Sequence, residues 1–217
     1  MNRERWIVVA VLVLALVLPH GLRGTQTEFA IEVMTTAMFA LSLNILIGRL
    51  GLISFGHGLF LGVGAYLAGL MLPHLTQNLF LLLAAALAVG AFVSLIVGLL
   101  VLRLGGVGFV MITIALCQLA YVAVLSADEW TGGINGISSI PRPVLWPGNV
   151  PEWLTLDSTK TFYHVALVGL VLLLYALRRL DASPMGAVFA GIRQNAPRMA
   201  ALGYPVRRFQ LIGFVMA

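Results

Sequence analysis

Charge is what this chain has least of. Only 10% of its 217 residues are Asp, Glu, Lys or Arg, against about 25% in an ordinary soluble domain. With 60% hydrophobic residues and a mean hydropathy of +1.01, its natural solvent is lipid rather than water. Lysine occurs once, at Lys160, and no G-x-x-x-x-G-K-[ST] run exists, which excludes a phosphate loop of the kind that holds ATP. Cysteine also occurs once, at Cys117, which excludes an intramolecular disulfide or a cysteine-rich metal site. Inside its apolar run it reads as a small buried hydrophobe. The formal net charge is +5, but the arginines form no basic stripe with interleaved aromatics, so nucleic acid is not a partner. His20, His57, His74 and His164 are too scattered for an acid/base or metal cluster. No catalytic residue, metal site or cofactor is assigned, which sets aside a membrane-embedded enzyme. A secondary transporter advertises ionisable groups at mid-membrane, and here only His57 answers that description, weakly.

What the chain has is long apolar runs. Spanning the hydrocarbon takes roughly 20 apolar residues in a helix. Candidate spans run from Trp6 to about Leu22, Phe29 to Gly48, Leu50 to Leu72, Leu79 to Leu102, Leu104 to Ser126 and Thr161 to Leu177. The first follows a basic start, but no A-x-A-like site comes after it, so it reads as an uncleaved span rather than a signal peptide. A seventh begins at Phe209, where nine residues to Ala217 are too few to cross. The expected fold is an all-α, polytopic membrane bundle of about six complete spans and the start of a seventh, forming a single domain over 1–217.

Positive charge orients such a bundle. With the N-terminus in the cytoplasm, the inner side holds Arg3, Arg5, Arg49, Arg103, Arg178, Arg179, Arg193, Arg198, Arg207 and Arg208, ten of the thirteen basic residues. The outer side keeps Arg23, Arg142 and Lys160, diluted by five acids. Residues 127–160 then form an external loop and 178–208 a cytoplasmic segment.

Three stretches carry more than hydropathy. In "LSLNILIGRLGLISFGHGLFLGVGAYLAGL", residues 41–70, Ser54, Gly58 and Gly62 recur every four residues and are expected on one helix face, where small side chains let backbones approach in lipid. Asn44 and His57 are polar within spans and need partners; an interhelical hydrogen bond is the simplest role for His57. In "TGGINGISSIPRPVLWPG", residues 131–148, Gly132, Gly133, Asn135 and Gly136 prescribe turns. The glycines suit either a tight turn or a backbone that approaches a ligand.

The third stretch is "SPMGAVFAGIRQNAPRMAALGYPVRRFQ", residues 183–210. Ser183 before Pro184 is a hydroxyl N-cap followed by proline at the first helical position. The helix is expected to reach about Gln194, with Arg193 in its last turn. Asn195 then caps a second helix, and Gly203 ends it. Met185, Val188, Phe189 and Ile192 share an apolar face that needs a cover, either anionic lipid or a soluble partner. Gly186, Ala187 and Ala190 offer small side chains against which a partner can approach.

Taken together, "ALSLNILIGRLGLISFGHGLFLGVGAY", "TGGINGISSIPRP" and "SPMGAVFAGIRQNAPRMAALGYPVRRFQLIGF" resemble the permease subunits of bacterial branched-chain amino-acid ABC importers, in the family's order and over about residues 35–217. The subunit type with the TGGxNGI external loop is the nearer match. The resemblance implies a multi-pass protein of the bacterial inner membrane that imports leucine, isoleucine or valine. It also implies a second permease subunit, two cytoplasmic ATP-binding subunits that hydrolyse ATP, and an external binding protein. The helix pair at 178–208 becomes the element that couples to an ATPase, through Ser183, Pro184, Gly186, Ala187, Ala190, Ile192, Arg193, Asn195 and Gly203. The same scaffold serving urea, a short amide or another small polar solute is the second reading. Family members continue with further spans beyond this point, so the chain reads as C-terminally incomplete.

Overall fold

The computed structural model describes residues 14–19, 21–145, 156 and 158–217. The expected first span up to residue 13 and part of the loop expected outside therefore lie outside the described residues, and residues 14–19 of that span are helical. Helix α1 runs over Gly24–Asn44 and continues through a π-helical turn, Ile45–Leu50. Then come α2 (His57–His74), α3 (Leu79–Val101), α4 (Val107–Ser126) and the short α5 (Asp128–Thr131). After the loop at 132–158 follow α6 (Thr159–Asp181), α7 (Pro184–Ala201) and α8 (Val206–Met216). No strand occurs among the described residues. Four stretches, Gly24–Leu50, α3, α4 and α6, are long and apolar enough to cross a membrane.

The expected spans at 79–102, 104–126 and 161–177 fall on α3, α4 and α6. The expected span at 50–72 does not form as drawn. Gly51, at φ +72°, ends the π-turn with its amide on the Leu46 carbonyl, and residues 51–56 are non-helical. Helix α2 starts only at His57, and Ser54 therefore lies before the helix and not on a face shared with Gly58 and Gly62. The cause is tertiary. Gly56 sits so close to α4 that a Cβ there would lie 2.7 Å from the Thr113 carbonyl oxygen, and the Phe55 amide donates to Thr113 Oγ1 at 3.3 Å. His57 pairs with Ser42, eight residues before Leu50, so α2 begins about 10 Å deeper in the bundle than α1 ends. An extended strip covers the difference.

Two apolar clusters hold the bundle. At the arginine-bearing end, Leu46, Leu50, Val101, Phe109, Leu180, Phe189, Ile192 and Phe214 are all buried together. Gly213 makes room for Leu50 and Phe189, and Gly98 for Leu211 and Phe214, so α8 lies close against its neighbours. Toward the other end, Met34 of α1 meets Tyr163 and Leu167 of α6, and the Tyr163 hydroxyl donates to the Ala15 carbonyl at 2.9 Å.

Candidate functional site

Helix α7 is built as its local residues dictate. Ser183 Oγ accepts from the Gly186 amide at 3.2 Å, and Pro184 occupies the first turn. At Asn195 the backbone becomes extended (φ −159°, ψ 91°), and its Oδ1 accepts from the Arg198 amide at 2.9 Å, starting the second helix. Gly203 follows at φ +88°, a left-handed position glycine takes without strain. The helix pair at 184–194 and 196–201 is thus as expected.

What covers its apolar face is different from either expectation. Phe189 and Ile192 are buried in the chain's own core, with Met185 and Val188 packed against it. Neither lipid nor a partner is needed there, and Ile192 is out of a partner's reach. Gly186 is likewise a packing position: a Cβ there would strike the Leu180 carbonyl oxygen and lie 3.0 Å from Asp181 Cα. The face left open carries Pro184, Ala187, Ala190 and Gln194.

That open face borders a cavity of about 590 Å³ lined by Gly48, Arg49, Asp181, Gly186, Ala187, Ala190, Arg193 and Gln194. Across it, Arg49 grips Asp181 with two hydrogen bonds, Nε to Oδ1 at 2.5 Å and Nη2 to Oδ2 at 2.8 Å. The pair ties the end of α1 to the end of α6. Arg193 donates through Nη1 to the Gly48 carbonyl, one of the acceptors left over where α1 ends. Arg193 is therefore a brace between α7 and α1. Sequence reasoning passed over Asp181, although it is one of only two acids, with Glu4, among the ten inner basic residues. That imbalance was a usable signal.

The second polar constellation sits deep in the apolar region. His57 Nε2 lies 2.8 Å from Ser42 Oγ, joining α2 to α1, and the ring packs between Phe39 and Phe60 at 5.1 and 5.9 Å. Ser42 spends its one hydroxyl proton on the Phe39 carbonyl at 2.8 Å, so the shared proton belongs to His57 Nε2. His57 Nδ1 and Ser54 Oγ are buried with no partner among the described residues. Gly58 faces Cys117 of α4, whereas Gly62 has no neighbour within 4 Å. Asn44 is exposed, its amide lying over Gly48 of the next turn. The small residues therefore do not act as one stripe: Ser54 is buried before the helix begins, Gly58 is exposed with Cys117 Sγ 4.0 Å from a Cβ built on it, Gly62 is half-buried, and Asn44 is exposed. Thr113, the residue that anchors the strip 51–56, gave no sign within its apolar run.

In the loop after α5, Gly132, Gly133 and Gly136 take φ of +71°, +53° and +68°. A Cβ on Gly132 would meet the Gly136 carbonyl, and one on Gly133 the Asp128 carboxylate, so both glycines close a tight turn on their own chain. Asn135 and Ile134 are exposed at its tip. Ile137 and Ile140 pack over Gly69 of α2, and Val144 pairs with the α2–α3 turn through Leu79 N–H at 2.9 Å.

Lipid-length apolar helices, breaks at membrane depth and a basic end define a multi-pass α-helical membrane protein. Residues 26–217 match the family described as "Branched-chain amino acid transport system / permease component", and the chain belongs to that family. It is 28% identical over 232 residues to the "High-affinity branched-chain amino acid transport system permease protein LivM" of Escherichia coli (strain K12), covering 99% of this chain and 55% of the relative. The LivM protein of Salmonella typhimurium matches at the same identity and coverage. The chain spans about half the length of the curated relatives it matches. No solved structure matches it.

Proposed function

We propose that this chain is a membrane-spanning subunit of an ABC importer that carries leucine, isoleucine or valine inward. ATP is hydrolysed on separate cytoplasmic subunits, an external binding protein delivers the solute, and a second permease subunit completes the path. Family membership and the names of its relatives support the substrate class. The N-terminus lies in the cytoplasm, which puts ten of the thirteen basic residues inside.

The coupling role rests on one observation: α7 is braced to two spans on one side and open on the other. Phe189 and Ile192 lock it into the core, Arg193 holds the end of α1, and the Ser183 cap joins it directly to α6. A displacement imposed on the open Ala187–Ala190 face is therefore transmitted to α1 and α6 together. At the far end of this linkage is the strip 51–56. Its Ile53 and Phe55 side chains are 52% and 63% exposed, and the amides of Ile53 and Ser54 have no partner among the described residues. Irregular backbone at membrane depth is tolerated only against protein or a watery cavity. This exposure supports reading the strip, with Asn44 and Gly62, as facing the second subunit and the path.

Expression with its partner subunits in a strain lacking branched-chain amino-acid uptake tests the substrate. Restored ATP-dependent uptake of leucine, isoleucine or valine is the expected result; uptake of urea alone moves the assignment to another small solute. Ala187→Trp and Ala190→Trp test the docking face, with loss of ATPase co-purification expected while the spans stay inserted. In a Cys117→Ala background, Ser138→Cys should react with an impermeant thiol reagent in intact cells and Gln194→Cys only after lysis. The reverse pattern would overturn the orientation.

A further inference from the structure

Away from α7, three arginines converge where no described acid neutralises them. Arg103, at the end of α3, and Arg207 and Arg208, in the first turn of α8, line one cleft of about 230 Å³. Its remaining walls are Gly98, Leu99, Leu102 and Leu211. All three arginines are exposed, and none forms an ion pair among the described residues. The only described acid on the proposed inner side, Asp181, is already held by Arg49.

The position aggravates the imbalance. A helix N-terminus carries about half a positive charge, and cations there are unfavourable. Helix α8 nonetheless opens on Val206, Arg207 and Arg208, has no acid in its first turn, and is preceded by Pro205, which caps nothing with its side chain. Two guanidiniums on a positive helix end, and a third facing them, make a site that an anion completes.

The walls say which kind of anion. Leu99 belongs to helix α3, which is long and apolar enough to cross a membrane, and is 53% exposed, so one wall of the cleft is an exposed apolar side chain of a lipid-length helix. Above it the helices close: a Cβ on Gly98 would lie 2.8 Å from Leu211 and 3.0 Å from Phe214. The cleft is thus an apolar wall ending in three guanidiniums at the membrane boundary. A phosphate joined to an acyl chain has that shape and polarity. An acidic protein surface approaching from water does not explain the exposed leucine wall.

We propose that the α3–α8 cleft binds the phosphate of an anionic phospholipid, with Arg103, Arg207 and Arg208 as its ligands. The bound lipid would fasten α8 to α3 at the membrane boundary, independently of what the importer carries. The test is native mass spectrometry of the full chain in mild detergent, offered phosphatidylglycerol and phosphatidylcholine in competition. Wild type should retain phosphatidylglycerol preferentially. Each Arg→Gln change at 103, 207 or 208 should lower retention about fivefold, corresponding to roughly 1 kcal/mol per cation near an anionic headgroup. Arg178→Gln with Arg179→Gln, equally exposed on α6, is the control and should leave retention unchanged. Equal losses in site and control variants would reduce the effect to general surface charge and overturn the proposal, as would undiminished retention in the triple variant. A parallel titration with inorganic phosphate separates the sources. Thermal protection by phosphate at millimolar concentration, lost in the triple variant and not reproduced by lipid, would assign the same site to the free anion. Loss of ATPase co-purification with lipid retention intact would give the arginines to the partner instead.

Discussion

Two of the helix breaks at the arginine-bearing end, over 51–56 and around 182–205, are made by different physics. The second is written locally. Ser183, Pro184, Asn195 and Gly203 each satisfy or release a nearby backbone group, and the turn would be recognisable in isolation. The first contains nothing polar except Ser54, and no proline. It is held open from a distance by Thr113 and by the Ser42–His57 bond. Beyond the local stop at Gly51 (φ +72°), such a break in an apolar run is thus specified by contacts distant in sequence.

If that contrast is right, the largest effect belongs to the distant contact. Gly56→Leu drives a side chain into the Thr113 backbone, where a Cβ alone would lie 2.7 Å from the carbonyl. A cost of about 1–3 kcal/mol is expected from overpacking. The yield of monodisperse protein after extraction should fall sharply; undiminished yield would show that the strip is not pinned by α4. Ser183→Ala removes a local cap, and about 1 kcal/mol is expected, read as a lower thermal midpoint. Asp181→Asn breaks a pair whose carboxylate is 53% exposed. With solvent screening, roughly 0.2–1 kcal/mol is expected, and the loss should shrink as salt is added. The smallest effect is Gly62→Leu, which meets no neighbour within 4 Å. The isolated chain should keep its thermal midpoint, and only co-purification with a second permease subunit should suffer. A drop in the midpoint of the chain by itself would place Gly62 inside the bundle.

The same contrast explains how far the fold could be read in advance. Helices α3, α4 and α6 follow from uninterrupted hydropathy, and α7 from its caps. Its inward face was also legible, since Met185, Val188, Phe189 and Ile192 follow helical spacing. What covers that face was not, because the answer lies in Leu46, Val101 and Phe214, far away in sequence. Ser54, Gly58 and Gly62 illustrate the opposite failure. Their spacing of four is helical, yet the helix begins only at His57, and a regular interval in an apolar run does not reveal where a helix has yielded to a neighbour. Gly186 looked like a place for another protein and proved to be a place for Leu180 and Asp181. The Arg49–Asp181 grip needed no geometry to suspect, only attention to how rare acids are near so many arginines.

The strip 51–56 also sets a timetable for synthesis. Apolar helices can leave the ribosome and partition into lipid one by one, each satisfying its own backbone. Residues 51–56 cannot, because the anchor for Phe55 comes 58 residues later, at Thr113. At translation rates of about 5–20 residues per second, the strip spends about 3–12 s made before the Phe55 amide meets its Thr113 partner. The Ser42–His57 bond, made within α1 and α2, can form before α4 arrives, and the Phe55 contact only after it.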